Sequence, residues 1–467
     1  MRIYNSLTRK IEEFKPISPP NVGIYSCGPT VYDTAHVGNF RTYTLHDVLH
    51  RTLEFLGYKV KFVSNITDVG HLVSDADEGE DKLEKGARRE GLTAWEIAKK
   101  YTEEFFEHEK SLNILPPDVR CRATQYIDEQ IKLVKRLEEK GFTYRISDGI
   151  YFDTSKMPNY GELIRLDKSA IREGARVEKN PEKKDPTDFA LWKFSPKDKK
   201  RDMEWDSPWG RGFPGWHIEC SAMSMKHLGE QFDIHVGGTD IKSTHHVNEI
   251  AQSEAATGKK PFAKYWVHGE LLMVDGGRMG KSLGNMYTLD DVEKKGFEPL
   301  ALRYLYLTAH YRDPLNFTWE SLEAAQNGLN NLRSQISGLK SQKGRTALSV
   351  EKDDKIERYR EQFLEAISDD LDMPKALATL WAVLKSNIPS EDKYGLALSF
   401  DEVLGLSLSQ IPSTKIQVPE NIKLLIKKRE DLRKEGKFEE ADEVRKQIES
   451  RGFVIEDTSM GPKVRQK

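Results

Sequence analysis

Residues 22–66 read VGIYSCGPTVYDTAHVGNFRTYTLHDVLHRTLEFLGYKVKFVSNI, and this stretch decides the fold class. The apolar run Val22–Cys27 and the later run Lys59–Ile66 are both typical of β-strands. Between them, leucine and valine recur at three- and four-residue spacing over residues 45–56, and Gly57 follows in a position typical of a helix end. A strand, a helix and a strand at this spacing form a βαβ unit, whose two strands lie parallel. We therefore expect an α/β protein built on a parallel sheet.

The composition limits the class of protein. A length of 467 residues suggests roughly three domains. The net charge of −3 provides no global basic field for nucleic acid, so any such contact must come from local patches. Three cysteines without a CxxC pair favour a reducing compartment over a disulfide scaffold. Because the chain also has neither an apolar signal segment nor a membrane-length apolar run, we expect a cytoplasmic protein that does not insert into a membrane.

The parallel sheet is expected to be interrupted and then resumed. Gly149–Asp153 has the pattern of a strand in a small separate module, and the charged stretch Lys179–Asp188 is typical of a linker. Alternation returns in Phe232–Val236, which predicts a further strand after an insertion of roughly 70 residues. Beyond about residue 320 the pattern is helical almost to the end of the chain.

Three short segments carry residues suited to chemistry, and the first is Asp33–Asn39. It lies between the first strand and its helix, at the sheet edge where α/β proteins bind ligands. The helix N-terminus offers N–H groups to a phosphate, His36 adds a donor, and Gly38 allows close approach to the backbone. A histidine at this position is also common as a helix cap or surface residue, and local sequence leaves both interpretations open.

The second segment is Asp275–Ser282, read DGGRMGKS. The Val-Asp-Gly-Gly sequence at its start is a good hairpin signal. The segment could also be a mobile loop that brings Lys281 to a phosphate chain, where charge develops during reaction. It lacks the glycine spacing of a P-loop.

The third segment is Ser243–Glu249, read STHHVNE. His245 and Glu249 stand one helical turn apart and could supply two metal ligands from one helix face. An ordinary polar pair at this spacing is the more common explanation of such a local sequence. Cys27 and Cys220 are further candidate ligands, but both are also explained as small buried residues, and nothing in the composition brings them together.

The segments together resemble a known family. His36-Val-Gly-Asn39 resembles the HIGH signature and Arg278-Met-Gly-Lys-Ser282 the KMSKS signature of class I aminoacyl-tRNA synthetases, with Asn39 and Gly280 as departures. Further stretches resemble cysteinyl-tRNA synthetases over nearly the whole chain: Tyr25–Asp33, Asn65–Asp68, Pro214–Met223, His246–Ser253 and Lys281–Asn285.

The resemblance implies a set of site residues. One zinc ion per chain is expected on Cys27, Cys220, His245 and Glu249. The cysteine substrate is expected to contact Cys27, Thr67 and Trp216. ATP, with Mg²⁺, is expected on His36, Gly38, Asn39, Gly238, Asp240 and Lys281, of which His36, Asn39 and Lys281 are the catalytic residues.

The resemblance also implies an architecture. It predicts a Rossmann-type catalytic domain in two halves (1–118 and 188–268) around an inserted connective module (119–187), then a signature-loop and stem-contact region (269–318), a helical bundle (319–406) and a small anticodon-reading tail (407–467).

The implied reaction is ATP-dependent activation of L-cysteine to cysteinyl-adenylate, followed by transfer to tRNA(Cys), in a monomer. Two alternatives remain at this level. A related ligase would pass cysteine to an amino-sugar and should not need the basic tail. A non-catalytic tRNA-binding paralogue should have lost His36, Lys281 or part of the zinc set, all of which are present.

Overall fold

The computed structural model of the chain describes residues 1–71, 81–165, 180–196, 201–280, 283–340, 349–409, 420–451, 453–458 and 461–466. The predicted phosphate-binding Lys281 lies outside these ranges. The chain divides into two compact units, Met1–Ser409 and Gln410–Lys467. Within the described ranges, no helix combines the length and the apolar character needed to cross a membrane.

The first unit begins with the predicted βαβ unit behind a short hairpin. The elements, in chain order, are β1 (Arg2–Asn5), β2 (Lys10–Glu13), β3 (Asn21–Ser26), α1 (Val37–Phe55), β4 (Lys59–Ile66), α2 (Lys82–Glu90), α3 (Ala94–Ser111), β5 (Val119–Arg122) and α4 (Ile127–Glu139). The leucine and valine side chains whose spacing predicted α1 are buried: Leu45, Val48, Leu49 and Leu53. Burial of this apolar face against the sheet holds the helix in place.

The chain then leaves the sheet and returns to it. A separate antiparallel sheet has the order β6 (Thr143–Ile146), β7 (Gly149–Phe152), β8 (Phe189–Phe194) and β9 (Gly212–Pro214). It is followed by α5 (Trp216–Leu228), β10 (Phe232–Gly238), a π turn (Lys242–His246), α6 (Val247–Thr257) and β11 (Ala263–Gly269). The main sheet has the order β11-β10-β3-β4-β5 with every pair parallel, so the Rossmann-type fold with an insertion is confirmed.

Sheet membership differs from the predicted segment bounds at two points. β5 pairs with β4 in the main sheet, although the inserted module was predicted to begin at residue 119. β8 and β9 pair with the inserted sheet, although that module was predicted to end at residue 187. The reason is that strand partners far apart in the chain cannot be recognised from a local composition change.

The remainder of the first unit is mostly helical, as expected. Its elements are β12 (Leu272–Val274), α7 (Leu289–Lys294), α8 (Pro299–Leu307), β13 (Leu315–Phe317), α9 (Trp319–Lys340), α10 (Val350–Ser368), α11 (Met373–Lys385) and α12 (Ser390–Leu404). The second unit contains α13 (Glu420–Lys434), α14 (Phe438–Ser450) and the antiparallel pair β14 (Phe453–Thr458) and β15 (Gly461–Gln466).

Helix α1 is tied to both the sheet and the helical region by arginines. The fully buried Arg303 of α8 lies 2.5 Å from Asp47 of α1 and donates to the carbonyl of Leu404 at the end of α12. Arg41 donates to the carbonyls of Glu270 and Leu271, just past β11. A buried charge persists only where its hydrogen bonds are satisfied, so these contacts fix the position of α1.

Candidate active site

A cavity of about 820 Å³ lies at the carboxyl ends of the central strands β3, β4 and β10. In the sheet, β4 and β5 lie on one side of β3, and the later strands β10 and β11 lie on its other side. The strand order therefore reverses at β3, and open α/β sheets bind ligands at such a switch point. Ten of the predicted site residues line the cavity: Cys27, His36, Gly38, Asn39, Thr67, Trp216, Cys220, Gly238, Asp240 and His245.

The deep end of the cavity brings together the four predicted metal ligands. Sγ of Cys27 lies 4.0 Å from Sγ of Cys220 and 3.8 Å from Oε1 of Glu249. Nε2 of His245 lies 3.4 Å from Sγ of Cys220 and 3.1 Å from the same Oε1. Cysteine, histidine and carboxylate are zinc's usual ligands, and bonds of about 2.0–2.3 Å in a tetrahedron place neighbouring donors about 3.3–3.8 Å apart. These residues therefore form a cluster that fits zinc.

Local backbone geometry presents these donors. Cys27 follows β3, and the next residue must be glycine because a Cβ at Gly28 would lie 1.6 Å from the carbonyl oxygen of Asn65. Cys220 lies in α5, whereas His245 lies in the π turn that leads into α6. Single π turns inside helices occur frequently at functional sites. Three segments from distant parts of the chain thus converge on one point.

Four further histidines surround the cluster, and sequence reasoning did not find them. Their contacts are His235 Nε2 to Glu249 Oε2 (3.0 Å), His246 Nε2 to Cys27 Sγ (3.4 Å), His217 Nδ1 to His245 Nδ1 (3.1 Å) and His268 Nε2 to His246 Nδ1 (2.8 Å). Buried histidines beside a metal site usually orient its ligands. The only sequence signal for them was the histidine content of strands β10 and β11 and of the segments around α5 and α6.

A second group of four donors overlaps the first. Cys27, His235, His246 and Glu249 also lie close enough together to hold a metal ion. His246 Nε2, however, lies 4.0 Å from Glu249 Oε1, whereas His245 Nε2 approaches this oxygen to 3.1 Å. Both histidines reach Glu249 because residues three and four apart share a helix face. The set with Cys220 and His245 is favoured because both of these residues line the cavity, whereas His235 and His246 are not among its lining residues.

The electrostatics of the deep end fit a cation. Burial by itself would lower the pKa of His245, but Glu249 and Cys220 raise it to about 9. Burial raises the pKa of the Cys27 thiol, whereas the contacts of Cys220 with Cys27 and His245 outweigh burial and lower the pKa of Cys220. Burial lowers the pKa of His217 and His246, which keeps both rings neutral. The deep end therefore buries thiol, imidazole and carboxylate groups together, which are the donor types that bind a zinc cation.

The outer end of the cavity contains the start of α1. His36 is the N-cap of this helix: its Nδ1 accepts from the backbone N–H of Asn39 at 3.2 Å, and Asn39 Oδ1 accepts from the N–H of His36 at 3.0 Å. Because Nδ1 is the acceptor, a neutral His36 ring carries its proton on Nε2. The cap thus uses Nδ1 of His36 and the amide oxygen of Asn39 as acceptors.

The glycine-rich segment forms the opposite wall of this outer end. Asp275 and Gly276 have positive φ angles of 50° and 73°, and Val274 pairs with Gly277, so the predicted hairpin turn is confirmed. Asn285 then accepts from the N–H of Gly280 at 2.9 Å. A Cβ on Gly38 would lie 3.4 Å from Cε of Met279, which shows how closely this segment approaches α1.

The remaining predicted residues occupy positions between the two ends. The Trp216 ring lies 4.6 Å from the ring of His245, centroid to centroid. Thr67 Oγ1 accepts from the side-chain amide of Asn65 at 3.0 Å. A Cβ on Gly238 would lie 2.2 Å from Asp240 Oδ1, so a side chain at this position would displace the Asp240 carboxylate. Lys82, which sequence reasoning missed, also lines the cavity.

The chain is similar to one family along most of its length. The family described as "tRNA synthetases class I (C) catalytic domain" matches residues 13–327. A solved structure of the Mycobacterium tuberculosis methionyl-tRNA synthetase in complex with methionyl-adenylate has a TM-score of 0.55 at 15% identity, covering 84% of this chain and 92% of that chain. That likeness supports the class I fold alone.

Curated relatives extend the match to the full chain. "Cysteine--tRNA ligase 1" of Burkholderia lata is 49% identical over 99% of this chain and 96% of the relative. "Cysteine--tRNA ligase" of Treponema denticola is 43% identical over 98% of each chain, and that of Thermus thermophilus is 42% identical over 99% of this chain and 98% of the relative. With this identity along its whole length and the class I fold around its cavity, the chain belongs to the cysteine–tRNA ligase family of class I aminoacyl-tRNA synthetases.

Proposed function

We propose that this protein activates L-cysteine with ATP and transfers the cysteinyl group to tRNA(Cys). The observation that carries the proposal is the convergence of Cys27, Cys220, His245 and Glu249 at the deep end of the cavity. A donor set of this kind is suited to binding a thiol-containing substrate through a metal. The membership of the chain in the cysteine–tRNA ligase family supports the same conclusion.

The deep end provides specificity. Zinc, when bound by this cluster, supplies a soft Lewis acid that prefers a thiolate to a hydroxyl. A steric pocket alone discriminates poorly between near-isosteres such as cysteine and serine. Trp216, whose ring is tilted by 38° to that of His245, and Thr67 form the walls that orient the rest of the amino acid. His235 and His217 keep Glu249 and His245 in their binding orientations.

The outer end handles the triphosphate. His36 donates from Nε2, and the N-terminus of α1 adds backbone N–H groups and a favourable dipole. Asn39 completes the capping box of α1, and its side-chain NH2 group donates to the triphosphate. Gly38 allows the phosphates to come close to the backbone. Lys281, which follows the glycine-rich segment in the sequence, stabilises charge on the leaving pyrophosphate, with Mg²⁺ bound to ATP. Gly238 and Asp240 bind the ribose.

No protein side chain forms a covalent bond to a substrate in this scheme. The carboxylate of cysteine attacks the α-phosphorus, and the terminal adenosine of tRNA then accepts the acyl group. The tail, residues 407–467, reads the anticodon, and the protein acts as a monomer in the cytoplasm. Binding and orientation at two ends of one cavity account for the rate, since aligned reactants lower the barrier by themselves.

Cysteine-dependent ATP–pyrophosphate exchange, followed by charging of tRNA(Cys), tests the activity. Both reactions are expected. Exchange without charging would point to the ligase that transfers cysteine to another amine, and absence of exchange from zinc-loaded protein would leave only a tRNA-binding role.

The zinc assignment is tested by Cys220→Ser. A hydroxyl replaces a thiolate in the cluster, so bound zinc and cysteine-dependent exchange should be lost together. The matched control is Cys121→Ser, which makes the same change at a buried cysteine of β5, outside both groups of metal-binding donors. Stoichiometric zinc in Cys220→Ser, measured by elemental analysis, would remove Cys220 from the ligand set.

A further inference from the structure

A lysine stands beside the deep end of the cavity. Lys82, the first residue of α2, lines the same cavity as Cys27, Thr67 and Trp216. Its Nζ lies 5.5 Å from the ring centroid of Trp216 and 5.8 Å from that of Tyr32. Both distances are within the range of a cation–π interaction. Two aromatic faces thus attract the ammonium group at the border of the cavity.

From this geometry we propose that Lys82 binds the α-carboxylate of the amino-acid substrate and holds it for attack on ATP. The inference rests on the proposed function and adds a residue to it. Lys82 would act as a catalytic residue, because its ammonium group touches the reacting carboxylate.

The backbone around Lys82 is held firmly. Asp81 is the N-cap of α2: its Oδ1 accepts from the N–H groups of Leu83 at 2.8 Å and Glu84 at 3.0 Å. Its other oxygen forms a buried ion pair with Arg201. The N–H of Lys82 itself donates to the carbonyl of His71 at 2.8 Å. These contacts fix the start of α2, so only the side chain of Lys82 needs to adjust to a ligand.

The position of Lys82 fits the dimensions of cysteine. The Trp216 ring is near both groups: its centroid is 4.6 Å from that of His245 and 5.5 Å from Lys82 Nζ. With standard bond lengths, the sulfur and carboxylate oxygens of cysteine lie about 4–5 Å apart. A cysteine whose thiol is at the cluster and whose carboxylate lies beside Trp216 therefore approaches the part of the cavity that Lys82 borders.

A cation at this point has a chemical purpose. The nucleophile is a carboxylate and the target is a phosphate, so two anions must approach each other. A neighbouring ammonium group lowers this repulsion and retains a favourable interaction as charge spreads over the α-phosphate. A bond forms between a carboxylate oxygen and the α-phosphorus. The bond between this phosphorus and the bridging oxygen breaks, and pyrophosphate departs with the electron pair, while Lys82 keeps its protons throughout.

The test compares two ligands in zinc-loaded protein without ATP. L-cysteine carries the carboxylate, and L-cysteinol has a hydroxyl group in its place. Lys82→Met retains an unbranched side chain of similar length but removes the charge. We expect this variant to bind L-cysteine about 10- to 100-fold more weakly, the usual effect of losing a charged hydrogen bond, and to bind L-cysteinol as tightly as the parent does or more tightly. Calorimetry measures both affinities.

Two matched variants accompany this comparison. Lys82→Arg preserves the charge and should keep the affinity for L-cysteine within about five-fold of the parent, a change of under 1 kcal/mol. Lys85→Met makes the same change at an exposed position of α2 and should leave both affinities unchanged. Zinc content is measured in every variant and should not differ. If Lys82→Met does not fold, Lys82→Gln is used for the same comparison.

Two results would overturn the inference. One is an unchanged affinity of Lys82→Met for L-cysteine. The other is an equal loss for L-cysteine and L-cysteinol, which would show that the side chain only shapes the cavity. Failure of the proposed function is a distinct result, because the parent protein would then show no cysteine-dependent pyrophosphate exchange.

Discussion

The two ends of the cavity differ in how their polar groups are held. At the deep end, the side chains of His245 and Glu249 are 2% and 0% exposed, and each touches at least two other titratable groups. At the outer end, His36 and Asn39 are partly exposed and form contacts mainly with the backbone at the start of their own helix. Side-chain contacts from several segments hold the deep end together, whereas the outer end is a partly exposed helix terminus.

Under the proposed function, we infer that this difference separates recognition from catalysis. Buried titratable groups are stable only when paired, so the deep end keeps one geometry and can reject a substrate of the wrong chemistry. Groups at a hydrated helix terminus can adjust to a triphosphate whose charge redistributes during reaction. We therefore expect changes at the deep end to remove metal and substrate specificity, and changes at the outer end to slow the reaction while the metal stays bound.

The largest effect is expected for Glu249→Gln. The change removes a buried carboxylate that contacts both His245 and His235. Loss of one partner from a buried pair costs about 3–5 kcal/mol, so zinc affinity should fall by more than about 100-fold. Competition with a chelator measures the affinity. Glu254→Gln, the same change at a buried carboxylate of the same helix, should retain zinc; equal zinc binding by both variants would remove Glu249 from the site.

A smaller effect, confined to the reaction rate, is expected for His36→Asn. Asparagine is a good N-cap, so the variant keeps α1 capped but loses the Nε2 donor. Removing one donor that stabilises developing charge typically lowers kcat about 100-fold. Zinc content and the affinity for cysteine should not change. Loss of zinc from this variant would show that the two ends of the cavity are not independent.

The smallest effect concerns His46, a buried histidine of α1. Burial, with a further contribution from His235, lowers the pKa of His46 to about 3. The unfolded chain therefore binds a proton that the folded protein does not between pH 6.5 and 3, and stability falls as the pH drops through this window. At pH 5 the loss is about 2 kcal/mol.

Urea unfolding of His46→Phe tests this expectation. Its free energy of unfolding should fall about 2 kcal/mol less than that of the parent between pH 7.5 and pH 5. Identical pH dependence in the two proteins would show that His46 does not cause the loss of stability at acidic pH.

Local features of the molecule could be predicted from the sequence. The bounds of β3, α1 and β4 follow from apolar periodicity and a terminal glycine, because hydrogen bonds within a helix and alternation along a strand depend on nearby residues. The hairpin turn at Asp275 and Gly276 follows from residues that accept positive φ angles. The types of residue that form the site were visible for the same reason.

Only the tertiary structure decided which residues meet. Local sequence, apart from the family resemblance, did not bring Cys27 and Cys220 together, place His235 against Glu249, or bring Lys82 to Trp216. It also did not assign β5 to the main sheet or β9 to the inserted one. Each of these contacts joins segments tens to hundreds of residues apart, and it depends on strand order and on the burial of whole faces. Sequence by itself thus determined the elements and the chemical groups of this protein, whereas the order of the strands in the sheet determined the site.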